Sequence, residues 1–343
     1  MEPLLSICIP TYNRANFLNQ LLESIYIQLT DETMAQIEIC ISDNASTDET
    51  CDIVKDWQQR LPSMNISYQV NTENLGADKN YLKSIEMANG KYCWFFGSDD
   101  KFLPNAIDTM LNSLNTIPEE TLIIPNQKCY NFDFTQTVFC NAHPYFQMKS
   151  NQLCRTIDAF TDFNPLALGF LSILCFPRSR WNDALKDKRY TDFIGSAYVH
   201  MYILLSMIQK GLPVLFLSEK IVGWRAGNDF FLSELKEFGR IKIDIIGYSD
   251  IAQAVCGKHS VSFRNINNQV LKYIISPKML EIGLTFKDDQ KKELRALMVQ
   301  YYKLFPYFWI HIFPYLILRQ NDFLLLQKVY RLTLKPIMSI MKK

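Results

Sequence analysis

The chain has 343 residues, of which 48% are hydrophobic and 21% are charged, and its formal net charge is +1. This composition excludes disordered, collagen-like and low-complexity chains, and the length is enough for one large or two ordinary domains. A near-zero net charge also removes the simplest electrostatic argument for a nucleic-acid-binding protein. The charge is nevertheless uneven, because residues 291–343 carry ten Lys/Arg and two Asp/Glu and sum to +8, whereas the rest of the chain sums to −7.

The cysteines and the termini bear on the compartment. Nine cysteines are scattered without a Cys-x-x-Cys pair or a histidine cluster, which favours reduced, largely buried thiols in a cytosolic protein. The N-terminus runs straight into a strand-like segment, so no signal peptide is expected. The longest uncharged apolar run, at 304–318, has 15 residues and contains two prolines, which predicts that no segment spans a membrane.

The first 125 residues alternate between short β-rich runs and helical patterns. Apolar or alternating runs predict strands at residues 4–10, 37–41, 66–70 and 92–96. Apolar residues at helical spacing predict the intervening helices, at residues 15–29, about 50–61 and about 79–87. Strand–helix repeats of these lengths predict an α/β protein with a mostly parallel central sheet flanked by helices.

Beyond residue 120 the pattern is more mixed. Strand candidates lie near residues 121–125, 137–140, 171–176 and 213–217, and residues 198–209 have a helical pattern. From about residue 230 onward the pattern is almost wholly helical. We therefore expect an α/β domain over 1–225, with halves 1–125 and 126–225, and a helical C-terminal region over 226–343.

Polar clusters follow each of the first four predicted strands, at residues 10–14, 42–48, 71–80 and 97–100. In open α/β sheets the ligand lies beyond the carboxyl ends of the strands, so these clusters mark the predicted site. Asp and Asn also form turns and caps, and Asp48 is expected only to cap the following helix. Adjacent side chains on an extended segment point opposite ways, so Asp99 and Asp100 should differ, one holding a divalent cation and the other facing a sugar or ribose.

These clusters resemble the family 2 glycosyltransferases of the GT-A fold. The segments that carry the resemblance are SICIPTYNR at 6–14, ISDNASTD at 41–48, NLG at 74–76 and SDD at 98–100. Residues 170–178 and 193–200 are also similar to bacterial O-antigen transferases of the abequosyltransferase type. The resemblance reaches to about residue 225. It implies that a sugar is transferred with inversion from a nucleotide-diphosphate donor to a saccharide acceptor, lipid-linked as in O-antigen-like surface polysaccharide synthesis.

The resemblance also implies roles for single residues and for the two halves, which would bind nucleotide and acceptor respectively. The implied donor-binding residues are Pro10, Thr11, Tyr12, Asn13, Arg14, Asp43, Asn74, Gly76, Lys79, Ser98 and Asp99. Within this set Asp43 would bond the base and Lys79 would approach the nucleotide or its phosphates, while Asp100 would ligate Mg²⁺ or Mn²⁺. Arg225 is a further donor-site candidate, because a guanidinium in that loop can clamp a diphosphate; the alternative is a surface arginine.

Two features depart from the family pattern. The first acid of the D-x-D metal motif is replaced by Gly97 or Ser98, so metal binding would rest on Asp100 and the diphosphate itself. The Glu-Asp pair that usually supplies the general base is also absent. Register places His200 at that pair, and an imidazole titrates near neutral pH, while Asp192 is the rival base.

The C-terminal region combines aromatic residues with cations. They are Tyr301, Tyr302, Phe305, Tyr307, Phe308, Trp309, Phe313 and Tyr315, followed by Lys328, Arg331, Lys335, Lys342 and Lys343. This combination predicts a surface that docks on the anionic inner face of the cell membrane, so the protein would be cytoplasmic and peripheral. The alternative is a helical cap on the catalytic domain.

Two other functions are alternatives to that of a transferase. A degenerate nucleotide-sugar-binding or scaffold protein is suggested by Gly97 and by the missing Glu-Asp pair. A sugar-nucleotide nucleotidyltransferase would carry a glycine-rich loop after the first strand, and residues 10–14 contain no glycine. The patterns leave the sugar, the nucleotide base, the linkage and the oligomeric state open.

Overall fold

The computed structural model describes residues 2–139, 147–317 and 322. The strands in these ranges are β1 (Leu5–Thr11), β2 (Ile37–Asp43), β3 (Ile66–Val70), β4 (Tyr92–Phe95), β5 (Lys101–Phe102), β6 (Leu122–Tyr130), β7 (Gln152–Cys154), β8 (Cys175–Pro177) and β9 (Val214–Arg225).

The α-helices in the same ranges are α1 (Ala15–Tyr26), α2 (Asp31–Met34), α3 (Thr50–Arg60), α4 (Ala77–Glu86), α5 (Ala106–Thr116), α6 (Ile157–Phe163), α7 (Arg178–Leu185), α8 (Val199–Gln209), α9 (Phe230–Cys256), α10 (Val261–Gln269), α11 (Met279–Thr285), α12 (Asp288–Tyr302) and α13 (Phe313–Ile317). Short 3₁₀ helices lie at Pro165–Gly169, Leu171–Ile173, Lys188–Phe193 and Ser276–Lys278, and π-helical turns at Val270–Ile275 and Phe308–Ile312.

All nine strands form one sheet in the order β3-β2-β1-β4-β8-β6-β9-β5, with β7 paired to β9. Strands β3, β2, β1 and β4 are mutually parallel, as are β6 and β9. Strand β8 runs antiparallel to both β4 and β6, and β5 and β7 run antiparallel to β9. The predicted α/β sheet is confirmed, and its parallel part contains the four strands read from the first 96 residues.

The carboxyl ends of β1, β2 and β4 meet at one edge of the sheet. Every residue of β1 and β2 is buried, as expected for parallel strands covered on both faces. The Asp48 carboxylate then accepts backbone N–H groups from Ala15 (2.9 Å) and Thr50 (3.2 Å), the first residues of α1 and α3. The predicted cap is confirmed, and the same side chain holds the start of a second helix.

Several expectations are corrected in detail. The helix expected over 15–29 ends at Tyr26, and a separate α2 follows. Residues 171–173 form a 3₁₀ turn, and only the end of the predicted strand pairs in the sheet as β8. In the candidate at 137–140, Thr137 makes an isolated bridge to Tyr130, and residue 140 lies outside the described residues. Strands β5 and β7 were not predicted, because runs of two and three residues have no readable period.

The cysteines follow the expectation with one exception. Seven of those described are free thiols, and five of these are buried. Cys129, near the end of β6, is instead disulfide-bonded, which contradicts a reduced state for that residue.

The C-terminal helices pack on the part of the sheet domain formed by residues 126–225. Helix α9 contacts α8 and α12, and α10 contacts α6, so one hydrophobic core continues from the sheet into these helices. Tyr302, Phe305 and Phe308 are buried in that core, so for these three aromatics the predicted membrane surface is wrong and the helical-cap alternative holds. The five tail cations lie outside the described residues. Over residues 2–139 and 147–317, no helix is long and apolar enough to cross a membrane.

Candidate functional site

A cavity of about 390 Å³ opens where the carboxyl ends of β1, β2 and β4 meet. Eleven of the fifteen predicted site residues line it: Pro10, Thr11, Tyr12, Arg14, Asn74, Gly76, Ser98, Asp99, Asp100, His200 and Arg225. The other four, Asn13, Asp43, Lys79 and Asp192, do not line it. Most of the predicted site residues therefore lie around one cavity, although they are up to 215 positions apart in the sequence.

Asn13 and Asp43 hold the loops that form one wall. The Asn13 backbone N–H donates to Ser46 Oγ (2.8 Å), and its side-chain oxygen accepts the Thr47 N–H (2.8 Å). The buried Asp43 carboxylate accepts the Ser46 N–H (2.8 Å) and the Tyr68 hydroxyl (2.6 Å). These side chains therefore join loop to loop and strand to strand instead of pointing into the cavity.

Asn80 takes the place expected for its neighbour Lys79. Lys79 is exposed, whereas Asn80 is buried and lines the cavity. The Asn80 amide donates to the carbonyls of Thr11 (3.3 Å) and Ser42 (3.1 Å) and accepts the Ser42 hydroxyl (2.7 Å). Consecutive helical side chains point about 100° apart, so only one of the two can face the strand ends. Helix α4 lies where it was predicted, but the side chain that it turns toward the cavity is that of Asn80 and not that of Lys79.

Asp99 and Asp100 have different surroundings, as expected from their alternation. Asp100 is only 3% exposed, and its carboxylate accepts the Ser172 hydroxyl (2.5 Å) and the Arg225 N–H (3.0 Å). Asp99 is half-buried and accepts a bond from the Asn228 amide (2.7 Å). Burial, and then the charge of Asp99, raise the pKa of Asp100 well above its ordinary value. A pair of carboxylates in such a place favours binding of a positive charge.

The residues around this pair fit a divalent cation held by few protein ligands. Among the described residues there is no group of three His, Cys, Asp or Glu side chains that could hold a metal. A Cβ at Gly97 would lie 3.2 Å from both Asp99 Oδ1 and Ser172 Oγ, so an acidic side chain at this position would be in tight contact with the groups that surround the pair. Carboxylate oxygens suit Mg²⁺ or Mn²⁺, and the remaining ligands would come from a bound diphosphate.

Arg225 is buried and is not the surface arginine of the alternative interpretation. Its Cζ lies 4.7 Å and 4.6 Å from the ring centroids of Phe17 and Phe134. Its nitrogens donate to the Asp99 carbonyl, the Gln20 side chain and the Phe132 carbonyl. Since its backbone N–H also bonds Asp100, Arg225 holds the turn that carries both carboxylates.

Arg240, on α9, reaches the cavity from the C-terminal helices, and nothing in the sequence pattern indicated it. Its Nε lies 2.8 Å from an Asp229 oxygen, and its Nη1 is paired with Asp244. The Tyr198 hydroxyl also donates to Asp244 (2.6 Å). Burial is the largest influence on the pKa of Asp244, which is raised in spite of the arginine. This cluster connects the α8 wall of the cavity to α9.

His200, the second residue of α8, is 1% exposed and lines the cavity. The Tyr81 ring packs edge-on against it at 5.5 Å. Burial lowers the pKa of His200 to about 4, against a smaller opposite effect of the Leu168 backbone, so the imidazole is neutral at pH 7. The rival base Asp192 is exposed and lies outside the cavity lining.

Unpaired polar atoms concentrate at this cavity. In the described part of the chain, four buried side-chain atoms make no hydrogen bond of normal geometry. Three of them, Thr11 Oγ1 and both ring nitrogens of His200, belong to residues that line the cavity. Buried polar groups in proteins are almost always paired, so these atoms are available to a polar ligand in the cavity.

The comparisons with known proteins agree with this arrangement. The model of glycosyl transferase family 2 matches residues 6–174. Abequosyltransferase RfbV of Salmonella typhimurium is 33% identical over 285 residues, covering 78% of this chain and 80% of that protein. S. aureus TarS in complex with UDP has a TM-score of 0.62 at 14% identity, covering 88% of this chain and 81% of that one.

A second solved structure extends the likeness of fold. Mannosyltransferase PcManGT from Pyrobaculum calidifontis, in complex with GDP-Man and Mn²⁺, has a TM-score of 0.54 at 15% identity and covers 92% of this chain and 86% of that one. The expected GT-A-like fold is thereby confirmed. With the family motifs gathered at one edge of that sheet and the similarity to RfbV extending over most of both chains, this protein belongs to glycosyltransferase family 2 and is a glycosyltransferase.

Proposed function

We propose that this protein transfers a sugar, with inversion, from a nucleotide-diphosphate donor to a saccharide acceptor in bacterial surface polysaccharide synthesis. The observation that carries the proposal is the cavity at the strand ends, which concentrates unpaired Thr11 and His200 atoms beside the Asp99–Asp100 pair. The similarity to RfbV, an abequosyltransferase, supports an O-antigen-like product. The similarity to proteins solved with UDP or GDP-Man supports a nucleotide sugar as donor.

The donor would lie between the β1 and β4 ends. Thr11 Oγ1 would bond the nucleotide, and the half-buried Asp99 would face the ribose or the sugar. A divalent cation held by Asp100, with Asp99 nearby, would supply positive charge to the diphosphate leaving group. The Ser172 hydroxyl and the Arg225 N–H each bond one oxygen of the Asp100 carboxylate and hold it in one orientation.

His200 is the base that the geometry favours for the acceptor hydroxyl. It lines the cavity, it is neutral at physiological pH, and its ring nitrogens are free of protein partners of normal geometry. Tyr81 fixes the plane of the ring by edge-on contact. Asp192 meets none of these conditions, because its side chain lies at the surface.

The proposal predicts that one class of nucleotide sugar stabilises the protein. A panel of UDP-, GDP-, CDP- and dTDP-sugars with and without Mn²⁺ is measured by thermal shift. At a ligand concentration of 100 times Kd, we expect stabilisation of about 2.7 kcal/mol, or roughly 5 °C, for the matching base. Absence of any shift across the panel would contradict donor binding.

Consumption of the stabilising donor separates an enzyme from the scaffold alternative. Gly97, which leaves the metal motif with one acid fewer, is the feature that favours a scaffold. The wild type should release nucleoside diphosphate when a saccharide acceptor is added. A protein that binds the donor with the expected shift but releases no nucleotide with any acceptor would be a binding protein.

We further propose that residues 1–225 form the catalytic domain and that the helical region 226–343 docks on the membrane. Exposed apolar side chains cluster near the end of the described helices: Leu304, Trp309, Ile310 and Ile317. The sequence that follows, residues 318–343, contains six Lys/Arg and one Asp. Apolar and basic signals in one segment suit an anionic leaflet, where a lipid-linked acceptor would be found.

This surface predicts binding to anionic vesicles. The full chain should float with phosphatidylglycerol-containing vesicles at low salt, and Trp309→Ser/Ile310→Ser should weaken binding roughly tenfold or more, since two large apolar side chains are removed. Ile27→Ser is the matched control, because Ile27 is 69% exposed and Ile310 is 67% exposed. Equal loss of binding in the control, or no flotation of the wild type, would contradict the proposal.

A further inference from the structure

The carboxylate of Asp78, in the first turn of α4, holds a distant loop. Asp78 is 3% exposed, and its oxygens accept three backbone N–H groups, from Gly195 (2.7 Å), Ala197 (2.9 Å) and Val199 (3.2 Å). These residues are 117 to 121 positions away along the chain. One side chain of the nucleotide-binding half thus fixes the loop that leads into α8.

The loop needs such a restraint. Gly195 and Ala197 both have positive φ, 96° and 69°, and the left-handed region is uncommon for a residue with a Cβ. Val199 is the first residue of α8, an 11-residue helix, whose first N–H groups have no partner within the helix. The carboxylate pairs the first of these groups, the Val199 N–H, and places negative charge at the positive end of the helix dipole.

The loop and the helix start form the wall of the cavity. Ala197, Tyr198 and His200 all line it. One turn after Asp78, Tyr81 packs on the His200 ring at 5.5 Å and an interplanar angle of 84°. Helix α4 therefore contacts this side of the cavity twice, through the Asp78 carboxylate and through the Tyr81 ring.

The same turn of α4 also borders the donor side. Gly76 and Ala77 line the cavity, and Asn80 bonds the carbonyls at the ends of β1 and β2. Helix α4 therefore links the donor side of the cavity to the side that carries His200. We infer that Asp78 is a positioning residue, which fixes His200 and Tyr198 at a set distance from the donor loops without touching the reacting atoms.

The test compares Asp78→Asn with a matched control. An amide keeps one acceptor oxygen but turns an NH₂ group toward the N–H groups of the loop. Glu38→Gln is the control, because Glu38 is also fully buried and its carboxylate accepts the N–H groups of Asn89 (2.6 Å) and Gly90 (3.1 Å). Glu38 lies at the amino ends of the strands, at the opposite edge of the sheet from the cavity.

Two readouts are measured, and only the second rests on the proposed function. In Asp78→Asn, hydrogen exchange in peptides covering residues 193–200 should become at least about tenfold faster, and in Glu38→Gln it should stay at the wild-type rate. With the donor found by thermal shift, kcat of Asp78→Asn should fall about 10- to 100-fold, with the donor KM within roughly threefold, since small misplacements of catalytic groups have effects of that size.

The outcomes are distinct. Unchanged exchange at 193–200 in a folded Asp78→Asn protein overturns the inference, and so does a wild-type kcat in that variant. If the wild type binds no donor, the proposed function fails, while the exchange result still decides whether Asp78 holds the loop before α8. Should Asp78→Asn not fold, Gly195→Ala perturbs the same loop from the other side, because a Cβ has open space there but the positive φ is strained; the same fall in kcat is expected, and a wild-type kcat would count against the inference.

Discussion

Replacing Asp100 by Asn is expected to lower turnover at least about 100-fold without lowering the stability of the unliganded protein. Asp100 is buried and lines the cavity beside Asp99, and in the proposed reaction the two carboxylates would hold positive charge at the diphosphate. Removal of one electrostatic contact to a developing negative charge typically lowers kcat about 100- to 1,000-fold. Steady-state transfer assays with saturating donor and cation measure the effect, and Asp183→Asn, on the surface of α7, is the control.

The unchanged or higher stability expected of Asp100→Asn follows from the raised pKa of Asp100. In the folded protein the carboxyl holds its proton to higher pH than in the unfolded chain, where its pKa is about 3.9. Ionisation therefore weakens the fold as pH rises through this window, up to the folded pKa. Asn cannot ionise, so urea unfolding between pH 4 and 8 should find the variant at least as stable as the wild type at neutral pH. If Asp100→Asn kept more than a tenth of the wild-type turnover, Asp100 would not be required for the reaction.

Replacing His200 by Gln is expected to lower kcat at least about 100-fold, whereas Asp192→Asn should stay within about twofold of the wild type. General-base catalysis contributes about 100- to 10,000-fold, and a glutamine amide cannot accept the acceptor proton. The exposure of Asp192 outside the cavity makes it the matched control. The reverse pattern, a large loss in Asp192→Asn alone, would make Asp192 the base and imply that its segment moves on substrate binding.

The lowered pKa of His200 also predicts a pH dependence. The acid limb of kcat/KM that belongs to His200 should lie near pH 4 and not near 6.5. Between these pH values the unfolded chain binds a proton that the folded protein does not, so acidification through this window should weaken the fold by about 3 kcal/mol. His200→Gln lacks this contribution. An acid limb at the same pH in wild type and variant would assign it to another group.

The sequence was sufficient to locate the cavity. Period-2 and period-3.6 patterns placed β1 to β4 within a residue or two, and in a parallel sheet the residues after those strands must meet at one edge. Asp99 and Asp100 were found in this way, as were Thr11 and Asn74. The sequence says less about what each polar side chain contacts. Nothing local to Asn13 or Asp43 distinguishes a side chain that joins two loops from one that meets a ligand, because both tasks use the same amide and carboxylate oxygens.

The side of the cavity that involves Ser172, Arg240 and the loop held by Asp78 depends on tertiary contacts that no local sequence pattern encodes. Ser172 reaches Asp100 because β8 inserts antiparallel beside β4. Arg240 enters from a helix that follows the whole sheet in sequence, and its partners Asp229 and Asp244 belong to no sequence motif. Asp78 was visible as an acid at the start of a helix, where it would normally serve only its own helix. Its actual partners lie more than a hundred residues later.

The bonds of Asn13, Asp43 and Asp48 have a thermodynamic consequence for ligand binding. The loops after β1 and β2 are tied to each other and to two helix starts by the chain's own side chains. Ordering one residue costs about 1–2 kcal/mol in conformational entropy, and here that loss is incurred when the chain folds. Under the proposed function, a donor would meet loops that need no further ordering, and its affinity would depend on the few side chains that line the cavity. Single substitutions at positions such as Tyr12 or Arg14 would then change donor preference between relatives while the loop backbone stayed the same.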